Sequence, residues 1–360
     1  MSLRDWRSRV GRLAIVGFAG DSVPVELREI ARRFDLAGVI YFARNIVEPR
    51  QVRELSREIA SLAGESPYWI SVDQEGGRVA RLRRPFTEWP PMATLGRSGD
   101  DALARRFAAA LAAELSAVGI NLDYAPVLDV HTNPQNPVIG DRALSDRADD
   151  VARLGRVLIR ALEDAGVAAC GKHFPGHGDT STDSHHDLPI VDHGRDRLTA
   201  VELAPFRAAV AEDVACIMTA HVLLPAFDAA QPASLSSAIV DGLLKREMGY
   251  AGVVISDDLG MAAIAKTTPL SDATVEALHA GCDAVLLCNS TPDEQVGALE
   301  AVIAALESGR VSESRLDDAL LRQARVKARM GTTATASPRG LDRIGCAEHE
   351  LVAQAMAAWR

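Results

Sequence analysis

The segment KHFPGHGDTSTDSHHDLP, residues 172–189, holds the densest set of side chains suited to chemistry. It contains four histidines and three aspartates, and its prolines and glycines favour a loop over a helix. Long loops this rich in His and Asp are usually functional. Asp183 and His185 lie two residues apart, so the carboxylate can orient the imidazole and stabilise its charged form. The segment therefore predicts acid/base chemistry.

Two other interpretations of this segment stay open at this point. One is a solvated polar loop. The other is a metal site, for which His177, Asp179, His185 and His186 would supply the ligands. Their spacing matches none of the common metal-binding motifs, and no CxxC pair suggests zinc. We therefore predict a site without a metal or another cofactor.

A second group of candidate residues lies in ISDDLGM, residues 255–261, where Asp257 and Asp258 follow an apolar run. Two adjacent carboxylates repel each other. We expect one of them to point into the site, while the other caps the next helix, a position that Asp favours. A carboxylate at the end of such a strand can act as a nucleophile that forms a covalent glycosyl intermediate.

Further polar residues follow other apolar runs. Asp73 ends one run and is suited to accept hydrogen bonds from sugar hydroxyls, whereas Arg78 and Arg81 beside it would also fit a surface ion-pair cluster. Arg142 lies near the end of the Pro/Asn-rich segment 133–145. It would either reach a substrate or hold its own loop by a salt bridge.

Short apolar runs alternate with longer amphipathic ones along the chain, which is typical of parallel βα units. The predicted strands are Leu13–Phe18, Gly38–Phe42, Trp69–Val72, Asn121–Ala125, Ala168–His173, Cys216–His221, Val253–Ser256 and Ala284–Leu287. Helical patterns between them include Asp101–Val118, Ala148–Ala165, Leu198–Ala211 and Asp293–Leu306. Eight such units predict an α/β fold, a (β/α)8 TIM-type barrel. A doubly wound sheet is the alternative, although no GxGxxG follows the first strand.

The polar candidates share a place in this predicted fold. Asp73, Lys172–His173, His221 and Asp257 all lie at or just past the carboxyl end of a predicted strand. Active sites of α/β barrels are built at that rim. A contribution to core stability alone would not place charged residues there so regularly, so we expect these side chains to share one site.

Composition excludes several classes of partner. The 360-residue chain carries a formal net charge of −10, which disfavours binding to nucleic acid and to anionic membranes. No stretch approaches the ~20 apolar residues of a membrane span, and the apolar run near the N-terminus is too short for a signal peptide. The five cysteines are odd in number and mostly lie in apolar segments. We therefore predict reduced thiols and a cytoplasmic protein.

Five motifs taken together resemble glycoside hydrolase family 3: KHFPGHGDTSTDSH, SDDLGM, DQEGGRVAR, NPVIGDR and MTAHV. The similarity runs from about residue 10 to 330 and is greatest to the NagZ-type β-N-acetylhexosaminidases of peptidoglycan recycling. It implies a catalytic barrel domain over 1–330. Residues 331–360 then read as a linker, TTATASPRG, and a C-terminal helix. The expected partner is a small carbohydrate, and the expected state is a monomer.

The resemblance also implies roles for individual residues. Asp257 is the expected nucleophile, and His185 with Asp183 is the expected acid/base pair. The expected substrate contacts are Asp73, Arg81, Arg142, Lys172, His173, His221 and Met261. The implied activity is that of a retaining exo-β-N-acetylglucosaminidase acting on GlcNAc-anhydroMurNAc fragments of peptidoglycan. The alternatives are a family 3 β-glucosidase, a β-N-acetylglucosaminide phosphorylase and a sugar-binding protein on an inactive barrel.

Overall fold

The structure, a computed structural model, describes residues 3–184, 186–333 and 340–360. Eight parallel strands close into a barrel in which each strand pairs with the next along the chain and the eighth pairs with the first. They are β1 Ala14–Val16, β2 Gly38–Tyr41, β3 Trp69–Val72, β4 Leu122–Asp123, β5 Ala168–Phe174, β6 Cys216–Thr219, β7 Val253–Asp258 and β8 Ala284–Leu287. The predicted (β/α)8 barrel is confirmed, and the open doubly wound sheet is wrong.

Helices surround the barrel. They are α1 Leu3–Gly11, α2 Val25–Phe34, α3 Pro49–Ala60, α4 Met92–Ser98, α5 Asp101–Ala117, α6 Ala148–Asp164, α7 Arg195–Ala200, α8 Ala204–Ala211, α9 Ala262–Ala265, α10 Leu270–Ala280, α11 Pro292–Glu307, α12 Glu313–Thr333 and α13 Ala347–Ala357. A π-helix spans Ala238–Glu247, and short 3-10 turns span Ala43–Asn45, Gly140–Arg142, Ala233–Leu235 and Leu341–Arg343. A small antiparallel hairpin, Gln74–Gly76 with Val79–Ala80, follows β3.

The strands are buried on both faces, which explains why they appear in the sequence as unbroken apolar runs. In β1, Ile15 belongs to the cluster inside the barrel, whereas Ala14 and Val16 pack against the surrounding helices. In β2, Ile40 points inward between Val39 and Tyr41. Since side chains alternate across a strand, each strand supplies both layers of the core.

One predicted helix, Leu198–Ala211, is two helices in the structure, Arg195–Ala200 and Ala204–Ala211. The break falls just before Pro205, which occupies the first turn of the second helix. A proline has no N–H and restricts the residue before it, so it suits the start of a helix and not its interior.

Helix α12 closes the amino-terminal mouth of the barrel. Val326 and Met330 join the apolar cluster inside the barrel. Lys327 Nζ donates to Ala37 O at 3.3 Å and lies 5.2 Å from the centre of the Trp69 ring. With this end filled, a substrate can approach the barrel interior only from the carboxyl ends of the strands.

The C-terminal segment docks on the barrel through the buried carboxylate of Glu114 in α5. Its Oε1 accepts hydrogen bonds from Thr87 Oγ1 at 2.6 Å, from Gly345 N at 2.9 Å and from His349 Nδ1 at 2.8 Å. Glu114 and His349 are 2% and 1% exposed, respectively. Helix α12 continues to Thr333, past the predicted domain boundary, and residues 334–339 of the predicted linker lie outside the described residues.

We expect Glu114→Ala to lower the free energy of unfolding by about 3 kcal/mol, because it leaves several buried donors without an acceptor. Urea unfolding at neutral pH measures the change. Glu348→Ala is the matched control, since Glu348 is an exposed acid that pairs with Arg343 in the same segment. This control should unfold like the wild type. Equal stabilities for the two variants would contradict a docking role for Glu114.

Two further expectations concern the whole chain. All five cysteines carry free thiols, and Cys170, Cys216, Cys282 and Cys288 are buried, as predicted. Within residues 3–184, 186–333 and 340–360, none of the helices combines the length and the apolar character that a bilayer crossing requires.

Candidate active site

A cavity of about 230 Å³ opens at the carboxyl ends of the barrel strands. Seven of the predicted site residues line it: Asp73, Arg81, Arg142, Lys172, His173, Asp257 and Met261. They come from segments after β3 and β4, from β5 and β7, and from the turn after β7. Parallel strands bring their carboxyl ends to the same rim, so residues distant in sequence meet there.

Glu75 in the Gln74–Gly76 strand is the centre of a buried ionic cluster at one end of the cavity. Its carboxylate accepts two hydrogen bonds from Arg142, at 2.8 and 2.9 Å, and lies 2.6 Å from Lys172 Nζ. Lys172 Nζ also donates to Asp73 Oδ1 at 2.6 Å. The cluster fixes both cations in place, so Arg142 holds its own loop while its side chain lines the cavity.

The pKa values of this cluster follow from its charges. Burial alone would raise the pKa of Glu75, but the positive charges of Arg142 and Lys172 outweigh burial and hold that pKa below its usual range. Burial would likewise lower the pKa of Lys172, but Asp73 and Glu75 raise it above its ordinary value. Glu75, Arg142 and Lys172 therefore stay charged at neutral pH.

Arg81 and Phe42 form the rim beside Asp73. Arg81 Nη2 lies 3.6 Å from Asp73 Oδ2, and the guanidinium lies 5.6 Å from the centre of the Phe42 ring. Asp73 is thus placed between Lys172 and Arg81, with both of its oxygens near a cation. This arrangement aims donors and acceptors at the cavity, as recognition of sugar hydroxyls requires.

His173 is held by Asp129, which lies in the segment after β4. The ring Nδ1 lies 2.7 Å from Asp129 Oδ2, and Asp129 is fully buried. Burial would raise the pKa of Asp129, but the neighbouring His173 lowers it below its ordinary value. An ionised Asp129 accepts only, so Nδ1 of His173 carries a hydrogen and the ring orientation is fixed.

Asp257 and Asp258 end β7, and the structure gives the two carboxylates different surroundings. Asp258 is 6% exposed and accepts hydrogen bonds from Cys288 N at 3.0 Å, Gly260 N at 3.2 Å and Asn289 Nδ2 at 3.2 Å. Burial raises its pKa. Asp258 is therefore engaged in holding the turn after β7 against the segment after β8.

Asp257 is half-buried and faces the cavity, and its Oδ1 accepts from Asp258 N at 2.8 Å. Burial would raise the pKa of Asp257, but the nearby His221 and His173 lower it below its ordinary value. This carboxylate is therefore ionised at neutral pH and accessible to a ligand, the two properties that a carboxylate nucleophile needs.

The structure places His221 behind the cavity and outside the set of residues that line it. Its Nε2 lies 2.9 Å from Asp258 O and its Nδ1 lies 2.7 Å from Ser234 Oγ. A carbonyl only accepts, so Nε2 donates to it, and Nδ1 forms a second hydrogen bond with the serine hydroxyl. Both ring nitrogens thus bind protein groups, and His221 supports the backbone beside Asp257.

The loop after β5 forms part of the cavity wall. Ser184 lines it, whereas Asp183, one residue earlier, is partly exposed and its carbonyl oxygen accepts from His186 N at 2.9 Å. His185, the predicted acid/base, lies outside the described residues. Its assignment therefore continues to depend on the DSH motif.

Two residues of the metal alternative have other partners. Both ring nitrogens of His177 lie near hydroxyls, of Thr180 at 2.7 Å and of Ser184 at 3.2 Å. Asp179 accepts from Thr132 Oγ1 at 2.7 Å and pairs with His193. In the part of the chain that the structure describes, no group of three or more His, Cys, Asp or Glu residues is arranged to hold a metal ion.

Sequence reasoning missed two acidic residues of this site. Glu75 lies in the DQEGG motif, two residues past Asp73, but nothing in the sequence shows that Lys172 and Arg142 meet it. Asp129 in APVLDV follows an apolar run, as Asp73 and Asp257 do. Asp129 lies shortly after the fourth predicted strand, so the expectation that site residues follow strand ends also identifies it as a candidate.

Comparison with known proteins agrees with this fold. The model of the glycosyl hydrolase family 3 N terminal domain matches residues 6–326. The chain belongs to glycosyl hydrolase family 3, which makes it a glycoside hydrolase, as its sequence motifs predict.

Individual relatives show which members of the family the chain resembles. Beta-hexosaminidase A of Pseudoalteromonas piscicida is 37% identical over 334 residues, which are 86% of this chain and 56% of that protein. A family 3 β-N-acetylglucosaminidase from Paenibacillus sp. FPU-7 superposes with a TM-score of 0.93 at 43% identity, over 100% of this chain and 69% of that one. The predicted resemblance to β-N-acetylhexosaminidases is confirmed.

A second solved structure is a complex with a sugar ligand. NagZ from Neisseria gonorrhoeae, in complex with N-trifluoroacetyl-D-glucosamine, superposes with a TM-score of 0.74 at 32% identity and covers 89% of this chain and 97% of that one. The chain thus spans little more than half the length of the Pseudoalteromonas relative and nearly all of the Neisseria protein.

Proposed function

We propose that this protein is a retaining exo-β-N-acetylglucosaminidase. The observation that carries the proposal is the accessible, ionised carboxylate of Asp257, which faces the same cavity that the Glu75 cluster lines. A GlcNAc ring bound there would present its hydroxyls to Asp73, Lys172 and Arg142 and its anomeric carbon to Asp257. The cavity is small and α12 fills the amino-terminal mouth of the barrel, so we expect the bound sugar to be a terminal one.

The reaction would proceed by two displacements. An oxygen of Asp257 attacks the anomeric carbon as the bond to the leaving oxygen breaks, and His185 donates a proton to that oxygen. A water molecule then loses a proton to His185 and attacks the same carbon, which releases Asp257. Two inversions give net retention. Most retaining glycosidases use a second carboxylate for the proton transfers, so a histidine acid/base is a departure from the common pattern.

The pair of Asp183 and His185 would suit this role near neutral pH. Imidazole has an ordinary pKa of about 6.5, so it can donate a proton in the first step and accept one in the second. Asp183 beside it would favour the protonated form that the first step needs. This part of the mechanism depends on the resemblance to family 3 and on the DSH spacing.

The physiological substrate that we propose is a GlcNAc-anhydroMurNAc fragment of peptidoglycan, processed in the cytoplasm. Support comes from the similarity to NagZ-type enzymes, of which the Neisseria structure with a GlcNAc analogue is one example. The acidic net charge and the reduced cysteines are consistent with this assignment.

A panel of nitrophenyl glycosides tests the proposal. We expect release of nitrophenol from the β-GlcNAc glycoside to exceed release from the β-glucoside by at least about 100-fold, a gap that binding of the acetamido group can supply. The β-GalNAc glycoside is included in the panel. Product analysis in phosphate buffer would show free GlcNAc. A preference for the β-glucoside, or GlcNAc 1-phosphate as the main product, would replace the proposal by one of its alternatives.

A further inference from the structure

A hydrogen bond in the cavity wall joins two parts of the loop after β5. His177 Nε2 lies 3.2 Å from Ser184 Oγ, both residues are 2% exposed, and both line the cavity. Ser184 is the middle residue of the triplet that runs from Asp183 to His185. Any contact that fixes Ser184 therefore limits where its two neighbours can lie.

The hydrogen-bond partners of Thr180 determine which ring nitrogen of His177 carries the hydrogen. Thr180 Oγ1 lies 3.0 Å from His177 O, 2.7 Å from His177 Nδ1 and 3.1 Å from Asn136 Nδ2. The carbonyl only accepts and the amide nitrogen only donates, so the single hydroxyl hydrogen of Thr180 serves the carbonyl. Nδ1 of His177 must then donate to Thr180. Its Nε2 is left as an acceptor, and the hydroxyl of Ser184 donates to it.

The surroundings of His177 keep this acceptor available. Burial lowers the pKa of His177 to about 4, against the opposing effect of Asp129, whose Oδ1 accepts from His177 N at 2.6 Å. The other titratable groups that act on the ring are His173, whose ring centre lies 6.0 Å away, and Asp257. The imidazole is therefore neutral at physiological pH, with a lone pair on Nε2.

The base of the loop is held independently of Ser184. Asn136 Nδ2 donates to His177 O at 2.8 Å, and Asn133 Nδ2 donates to Thr180 O at 3.1 Å. Ser184 has a second anchor as well, because its carbonyl accepts from Ala263 N at 3.2 Å in the helix that follows β7. The base of the loop thus holds Ser184 by one side-chain contact, and the helix after the nucleophile's strand holds it by a backbone contact.

We infer that His177 and Ser184 are positioning residues: by fixing residue 184, their contact restricts the acid/base residues on either side of it during proton transfer. The inference rests on the proposed function, since it assigns these two residues to the same reaction. Neither of them exchanges a proton with the substrate. Their contact sets the distance between the acid/base and the leaving oxygen, so its loss should affect only those substrates that need protonation.

The test is Ser184→Ala on two substrates. For the β-GlcNAc glycoside of an aliphatic alcohol, we expect kcat/KM to fall by about 10- to 100-fold, a part of what general acid catalysis contributes. For the dinitrophenyl β-GlcNAc glycoside, whose leaving group needs no proton, we expect less than about a 3-fold change. Ser181→Ala, an exposed serine in the same loop, is the matched control and should leave both values unchanged.

A double-mutant comparison adds the second residue. If His177 acts through Ser184, then His177→Ala combined with Ser184→Ala should lose no more activity on the alkyl glycoside than the worse single variant. Equal losses of Ser184→Ala on both substrates, or a response no larger than that of Ser181→Ala, would overturn the inference. Wild-type cleavage of the dinitrophenyl substrate reports on the proposed function separately, and thermal midpoints of all variants report on folding.

Discussion

Asp257→Ala is expected to lower kcat/KM on nitrophenyl β-GlcNAc by about 10⁴-fold or more, the loss typical of removing a nucleophile. The carboxylate is half-buried, faces the cavity and is held ionised by the histidines near it. An alanine offers no electron pair to the anomeric carbon, so the first displacement cannot occur. Initial rates measured with the purified variant check the prediction.

Adding azide to the Asp257→Ala variant tests the same assignment by formation of a product and not only by loss of activity. A small anion can enter the space left by the carboxylate and attack the anomeric carbon directly. The product would be the α-glycosyl azide, formed with inversion because only one displacement takes place. Its detection would show that the variant is folded and that Asp257 occupies the face from which attack occurs. Normal hydrolysis by the variant would rule out Asp257 as the nucleophile.

The neighbouring Asp258 provides a matched control for the same carboxylate chemistry. Asp258→Asn keeps an acceptor for Cys288 N and Gly260 N, and the amide of Asn289 can turn its oxygen toward the new donor. We therefore expect a loss in kcat/KM of no more than about 10-fold. A larger loss in Asp258→Asn than in Asp257→Asn would reverse the assignment of the two residues.

Glu75→Ala is expected to produce the second largest effect, on both stability and activity. It leaves the buried guanidinium of Arg142 and one side of Lys172 Nζ without their anion. Breaking a buried ion pair by removing one partner typically costs about 3–5 kcal/mol. Displacement of either cation by about 1 Å should also lower kcat/KM by about 100-fold.

Chemical unfolding and kinetics well below the thermal midpoint separate the two effects. Glu88→Ala is the control, since Glu88 pairs with Arg84 at the surface of the segment that follows the same hairpin. This control should match the wild type in both measurements. A Glu75→Ala variant with wild-type kcat/KM would show that the cluster serves stability alone.

The stability effect of Glu75 should depend on pH in one direction. Its pKa is lowered in the folded protein, so its contribution is complete above the unfolded pKa of about 4.3 and is lost as the pH falls toward the folded value. The difference in unfolding free energy between wild type and Glu75→Ala should therefore be constant from pH 7 to about 5. It should shrink in more acidic solution. A difference that grows on acidification would contradict the charge assignment.

Several features of this protein follow from its sequence alone. Strands buried on both faces read as apolar runs, and eight of them alternating with helical patterns predict the closed barrel. Polar residues directly after those runs mark the rim, and they include Asp73, Lys172, His173 and Asp257, all of which line the cavity. Both features can be recognised in short stretches of sequence, because an apolar run and the polar residue that follows it span only a few consecutive residues.

Other features depend on contacts between distant parts of the chain. Asp257 and Asp258 are adjacent residues of the same chemical type, and the segment after β8, which binds Asp258, gives the two carboxylates different surroundings. Glu75 becomes the centre of the site only because barrel closure brings Lys172 and Arg142 against it.

The acid/base loop illustrates the same division. The DSH motif predicts a proton-transfer pair, but only the folded loop shows that His177 returns to bind Ser184. The sequence identifies which chemical groups are present and how far apart they lie along the chain. Their partners, and therefore their charges and roles, are decided by the tertiary structure, because a side chain's pKa and hydrogen bonds depend on what the fold places beside it.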